Sequence, residues 1–303
     1  MSIDRDIDIL SNVYSEILNR SYIYKKNSKY WDWIPRCLLP TPPRGNIIHE
    51  EILDKIRKEC EFFVFNSLRN NYGHIFEKAW NEMELPNAKT CDRTILLVER
   101  RCHPNVLFCL QNILYYVKGF SITIFCSETN MGYIISCLGI HVQNARIIPI
   151  FKDSGNPEEG KKEYNELLQD IDFWKLFPQK YILTIETDCY LKKPLPDSIF
   201  NYDYVASKWP WNMDQPGGGG LSLRNRDAMI KICETFPNKL IAQDTYASEG
   251  IKKLGYTYPN IQETMNYFSE FIPGSSFCGF HQWWTGLQGH SYESIKNNLT
   301  CVI

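Results

Sequence analysis

Glu186 and Asp188 stand one residue apart at the end of the apolar run Tyr181-Ile182-Leu183-Thr184-Ile185. On a strand, side chains at i and i+2 leave the same face, so the two carboxylates project together from the strand's end. Paired oxygen donors of this kind suit a hard divalent cation such as Mg2+ or Mn2+, which is often shared with a substrate phosphate. A solvated strand terminus is the bland alternative, and the pair alone does not choose between them.

Three further stretches carry residue types with chemical use. Gln215-Pro216 precedes four consecutive glycines, Gly217 to Gly220. Such a run gives up more backbone entropy than a simple turn needs, so it implies either close approach of a ligand to bare backbone or a flexible hairpin. It has neither the Gly-Lys-Ser/Thr ending of a Walker loop nor the glycine spacing of a dinucleotide fold. Asp244, in Ala242-Gln243-Asp244-Thr245-Tyr246, opens a helical pattern. There it either complements the helix dipole or accepts a proton from a substrate hydroxyl. His281 lies in the aromatic stretch Phe277-Cys278-Gly279-Phe280-His281-Gln282-Trp283-Trp284. A satisfied core histidine is the ordinary reading. Trp209, Trp211, Trp283 and Trp284 also offer indole faces on which the C–H face of a sugar ring packs.

The elements that must position these groups alternate. Thr94-Ile95-Leu96-Leu97-Val98 is a continuous apolar run typical of a parallel strand covered on both faces. Pro104 opens a helix, with Val106, Leu107, Leu110, Ile113, Leu114 and Val117 at helical spacing. Phe120 to Cys126 is the next strand, which completes a βαβ unit. A helix over Met131–Leu138, a strand over Ala145–Ile150, a mixed segment from Lys161 to Leu176, the strand Tyr181–Ile185 and a short strand Tyr204–Ala206 follow. Arg226 to Phe236 and Gln243 to about Gly255 read as helices. The expectation is an α/β fold whose chemistry gathers at the carboxyl ends of parallel strands, where both Glu99 and the Glu186/Asp188 pair fall.

The first ninety residues read as a helical extension or subdomain, with helices over Ile7–Leu18 and Ile48–Leu68 separated by proline-rich breaks at Tyr30–Pro35 and Pro40–Gly45. They contain no catalytic constellation. A chain of 303 residues fits residues 1–90 as this extension and 91–303 as one large domain. Net charge is −2 and there is no long basic block, which argues against a nucleic-acid footprint. The 11 cysteines are odd in number and lack a C-x-x-C pair, so neither a zinc ribbon nor a complete disulfide framework is supported. That usage fits a reducing compartment. No signal core opens the chain and no apolar stretch reaches the ~18–20 residues of a membrane span, so a cytoplasmic protein is expected, in the host cytoplasm if the source is viral.

Taken in order, Val98-Glu99-x-Arg101-x-His103-Pro104, Thr187-Asp188, Tyr202-Asp203-Tyr204-Val205-Ala206 with Trp209, Gly218-Gly219-Gly220-Leu221-Ser222-Leu223-Arg224, Gln243-Asp244 and Gly279-Phe280-His281 resemble the DUF5672 glycosyltransferase-like family of bacteria, eukaryotes and large DNA viruses. The resemblance runs from Thr94 to Gly286. It implies a GT-A type fold, with a Rossmann-like, mostly parallel central sheet flanked by helices, and a hexosyl- or pentosyltransferase that takes a nucleotide sugar, by default UDP-linked, and a glycan or glycoprotein acceptor. By the same resemblance Asp188 and His281 are metal ligands for Mn2+ or Mg2+. Glu99, Arg101, Glu186, Gly218, Gly219, Gly220, Trp209 and Trp283 surround the donor. Asp244 is the base of an inverting transfer. Glu186 stands where an aspartate is usual, and Gln243 where many relatives carry a glutamate. A metal-dependent phosphodiesterase built on the same acids, or a catalytically silent carbohydrate-binding module, are the rival readings.

Overall fold

The structure is a computed structural model of the chain and describes residues 5, 8, 10, 50–151, 157–209, 212–237, 241–270, 272, 274–285 and 292–303. The helix read at Ile7–Leu18, the proline-rich breaks after it and Trp211 lie wholly or largely outside these residues.

Helix α1 (Glu50–Glu82) leads into strand β1 (Arg93–Val98), helix α2 (Val106–Tyr116), β2 (Ser121–Ser127), α3 (Met131–Leu138) and β3 (Arg146–Phe151). After α4 (Pro157–Leu167) and α5 (Ile171–Lys175) come β4 (Tyr181–Ile185), β5 (Cys189–Leu191), β6 (Tyr204–Ser207) and β7 (Gly218–Asn225). Helices α6 (Arg226–Thr235), α7 (Gln243–Leu254) and α8 (Ile261–Thr264), strands β8 (Phe268–Ser269) and β9 (Gly279–His281) and helix α9 (Tyr292–Leu299) follow.

The main sheet has the order β3-β2-β1-β4-β7-β6. Its first four strands run parallel, and β7 is antiparallel to both β4 and β6. Pleating divides the apolar runs between two cores. Ile95 and Leu97 turn toward a core shared with Phe65, Phe108 and Trp284, while Leu96 turns toward one shared with Trp174, Ile232 and Ile251. Burial on both faces is why these strands read as unbroken apolar sequence rather than as an alternation. The expected α/β class, with a mostly parallel sheet flanked by helices, is therefore present.

Two local expectations are corrected. Helix α1 runs on to Glu82, well past the expected end at Leu68, because Phe76 and Trp80 continue its buried face into the first core. The glycine run is not a hairpin: Gly218 to Gly220 begin β7, a strand with a neighbour on each side.

A second sheet, β5-β9-β8, is small but decisive for the chemistry. The antiparallel pairing of β5 with β9 sets Cys189 opposite His281, which brings the C-terminal histidine beside the acids that follow β4. Among the described residues no helix is long and apolar enough to cross a membrane.

Candidate active site

Strand β7 returns antiparallel along β4, with Thr184 opposite Ser222. Continuing that register one pair past Leu221 sets Gly220 beside Glu186, at the carboxyl end of β4. A side chain there has no room, since a Cβ on Gly220 would lie 2.5 Å from the Glu186 carboxyl carbon. Gly218 makes an equally close approach, and Gly219 a looser one. A Cβ on Gly218 would lie 2.6 Å from Asp244 Oδ2 and 2.4 Å from the Trp209 ring, and one on Gly219 would lie 3.4 Å from His281 Nδ1 and 3.6 Å from Glu270 Oε2. Gly219 also has φ 126°, a backbone conformation that favours glycine. These three positions are the floor on which Glu186, Asp244, Trp209, His281 and Glu270 meet.

His281 occupies the centre. Its Nε2 lies 3.4 Å from Asp188 Oδ1 and 3.5 Å from Glu186 Oε2, while Nδ1 lies 3.5 Å from Glu270 Oε1. Gln282, in a left-handed conformation at φ 44°, brings its side-chain amide nitrogen to 2.7 Å from the same Nε2. Burial disfavours a charged ring, but the carboxylate of Asp188, with Glu270 and others behind it, raises the pKa of His281 well above its ordinary value. Asp188 answers in the opposite sense: burial pushes its carboxyl up, His281 pulls it down, and the result lies below the usual range.

These residues fit a divalent cation. Asp188 Oδ1 and His281 Nδ1 are buried without a hydrogen-bond partner, a costly condition that a coordinated ion relieves at the carboxylate. Asp188, Cys189 and His281 each offer a ligand atom, all within 4.8 Å of one another. Burial raises the Cys189 thiol well above its ordinary pKa, which leaves carboxylate and imidazole as the stronger donors. Tyr164, from α4, donates its hydroxyl to Glu186 Oε1 at 3.0 Å and so fixes the first acid of the pair.

Asp244 sits in the first turn of α7, where its Oδ1 accepts the Thr245 amide at 2.6 Å and Oδ2 faces Gly218. Burial, and then the charge of Glu270, raise its pKa. A carboxylate with raised proton affinity on one free oxygen is the arrangement a general base requires. Gln243 points elsewhere and accepts a hydrogen bond from the buried Arg224 at 2.7 Å.

Other expected contacts are differently used. Glu99 is buried, accepting the Arg101 backbone amide and the Nε and Nη2 of its guanidinium at 2.8 Å each, so its oxygens hold Arg101 in place rather than face a ligand. Arg101 itself is 68% exposed. Trp283 is fully buried in the first core, donates to the Tyr190 hydroxyl at 2.8 Å and has no face left for a sugar ring. Trp284 shares that core. Trp209 keeps its place beside the glycine floor.

Sequence reasoning passed over Glu270, Tyr164 and Glu61. No motif surrounds the first two. Glu61 belongs to the first ninety residues, read as free of site chemistry, yet α1 carries it to 2.9 Å from Asn105 Nδ2 and 3.6 Å from His103 Nε2. Burial, with the charge of Asp188 next, pushes its carboxyl up to about 7.

The sequence model of the DUF5672 family, described as a protein of unknown function, matches residues 152–281. The match takes in every one of these groups from Tyr164 to His281 and leaves out Glu61, Glu99, Arg101 and His103. No curated protein sequence matches this one. Among solved structures, mouse xyloside xylosyltransferase 1 is similar at 11% identity and a TM-score of 0.40, over 69% of this chain and 94% of that one. The glycosyltransferase GlyE of Streptococcus pneumoniae TIGR4 has the same identity and TM-score over 69% of this chain and 63% of its own.

Proposed function

We propose that this protein is a GT-A type glycosyltransferase that moves a sugar from a nucleotide donor, UDP-linked, to a hydroxyl of a glycan or glycoprotein, with inversion and in the presence of a divalent cation. The observation that carries this reading is the convergence of Glu186, Asp188, His281 and Asp244 on Gly218–Gly220, at the carboxyl end of a parallel strand. A sugar diphosphate needs both halves of that arrangement: oxygen and imidazole donors for a cation at the diphosphate, and a carboxylate for the acceptor hydroxyl.

Asp188 and His281 would hold the cation, which supplies charge neutralisation at the departing diphosphate. The chain's own groups do the remaining work. The glycine floor lets the donor lie against backbone, and Trp209 offers an indole edge beside it. Asp244 Oδ2 takes the acceptor proton as the acceptor oxygen attacks the anomeric carbon from the face opposite the diphosphate. Residues 91–303 form the transferase unit in this reading, and α1 from the N-terminal extension closes its margin through Glu61. The ten described cysteines are all unpaired, which fits a reducing compartment such as the cytoplasm.

The test is a panel of UDP- and GDP-sugars, with bare phosphodiesters alongside, scored for Mn2+-dependent turnover. Asp188→Ala is expected to abolish metal-linked nucleotide binding, and Asp244→Asn to keep binding while losing turnover. Equal turnover by both variants, or turnover of phosphodiesters in place of nucleotide sugars, would refute the assignment.

A further inference from the structure

We propose that Glu270 is the positioning residue of the metal-binding histidine, holding the proton of His281 on Nδ1 so that Nε2 presents its lone pair to the Glu186/Asp188 side. The inference rests on the metal site argued above and concerns a residue that neither the motifs nor any recurrent pattern marks.

An imidazole that ligates through one nitrogen must place its other N–H, and the ring's orientation and donor strength depend on what accepts that hydrogen. Here the two nitrogens face different partners. Nε2 meets Asp188 Oδ1 at 3.4 Å and Glu186 Oε2 at 3.5 Å, whereas Nδ1, which makes no hydrogen bond among the described residues, faces Glu270 Oε1 at 3.5 Å. A proton on Nδ1 leaves Nε2 as an acceptor for the Gln282 side-chain amide nitrogen, 2.7 Å away.

Glu270 is in turn held. It follows β8 directly and is 12% exposed, and the Ser207 hydroxyl lies 3.3 Å from its Oε2 while also donating to the Gly218 carbonyl at 3.0 Å. β8 runs parallel to β9, with Ser269 opposite Phe280, so the next residue on each chain is its site residue: Glu270 just after β8 and His281 as the last residue of β9. Gly219 leaves the gap through which the carboxylate and the ring face each other, since its absent Cβ would sit 3.3 Å from Ser207 Oγ, 3.4 Å from His281 Nδ1 and 3.6 Å from Glu270 Oε2. Glu270 meets the ring at Nδ1, whereas Asp188 meets it at Nε2.

The experiment titrates Mn2+ alone into the full chain, following the free-ion electron paramagnetic resonance signal, for wild type, Glu270→Ala, Glu270→Gln and His281→Ala, with thermal unfolding of each in the absence of metal. Glu270→Ala is expected to weaken Mn2+ binding ~10–100-fold. Glu270→Gln keeps an acceptor oxygen for the Nδ1 proton and should stay within about threefold of wild type. His281→Ala should lose the site. Wild-type affinity in Glu270→Ala, alongside loss in His281→Ala, overturns the positioning role while leaving the metal site standing. Equal loss in Glu270→Gln and Glu270→Ala also overturns it, because charge rather than proton acceptance would then be the cause. A wild-type chain that takes up no Mn2+ removes the metal site itself.

Discussion

Replacing Gly218 by alanine asks the most of the site with the least change. The new Cβ would sit 2.4 Å from Trp209 Cζ2, 2.7 Å from Trp209 Cε2 and 2.6 Å from Asp244 Oδ2, where carbon and oxygen atoms ordinarily keep at least about 3.4 Å. Something must withdraw by roughly 1 Å. The backbone cannot yield easily, for Gly218 is paired with Ser207 and its carbonyl accepts the Ser207 hydroxyl. Asp244 is pinned through its other oxygen to the Thr245 amide at 2.6 Å, so the carboxylate swings rather than slides. A displacement of about 1 Å in a reacting group costs ~100-fold in rate, equivalent to roughly 2.7 kcal/mol of barrier. Overpacking adds about 1–3 kcal/mol of lost stability. Mn2+ affinity should not change, because the nearest atoms to the added methyl belong to Trp209 and Asp244 rather than to Asp188 or His281. The assay pairs Mn2+ titration with steady-state turnover of whichever donor the panel identifies. A folded Gly218→Ala protein that turns over within threefold of wild type would refute the claim that this glycine makes room for the base.

Further outcomes follow from other positions. Gly132→Ala, on the exposed face of α3 with nothing within 4 Å of the new Cβ, should leave turnover unchanged and raise stability by about 0.5–1 kcal/mol in urea titration; a loss would show an unseen contact. Trp283→Ala should cost about 3–5 kcal/mol of folding stability, as expected for an emptied core position, and an unshifted denaturant midpoint would contradict its burial. Lys208 is buried, donates to the Gln215 carbonyl at 2.8 Å, and burial lowers its pKa from 10.5 to about 8. Below pH 8 both folded and unfolded chains carry the charge and its burial is unfavourable. Between pH 8 and 10.5 the folded chain sheds the proton first and gains stability. The urea midpoint of wild type should therefore rise over that window relative to Lys208→Met, and parallel curves for the two proteins would refute the shift.

Local sequence was sufficient where the physics is local. Apolar runs became β1, β2 and β4 because both sheet faces are covered, and Pro104 preceded a helix that begins at Val106. Trp283 was misjudged for the complementary reason: an aromatic cluster packs a core or lines a site with the same residues, and only the packing of Trp283 on Tyr190 of β5 and of Trp284 on Phe65 of α1 decides which. Glu61 likewise became a neighbour of His103 through helix packing rather than through any pattern in its own segment.

The sequence by itself determined that two carboxylates follow a buried strand and that a parallel α/β sheet surrounds them, because apolar runs and their ends are properties of a few consecutive residues. Strand alternation does not relate the two acids, since β4 ends at Ile185 and Asp188 lies in the turn that follows. Tertiary structure decided that Gly220 faces Glu186, that His281 reaches Asp188 and that Glu270 stands behind the imidazole. Those contacts depend on which strand lies beside which and in what register, and registers are set by the packing of the whole sheet.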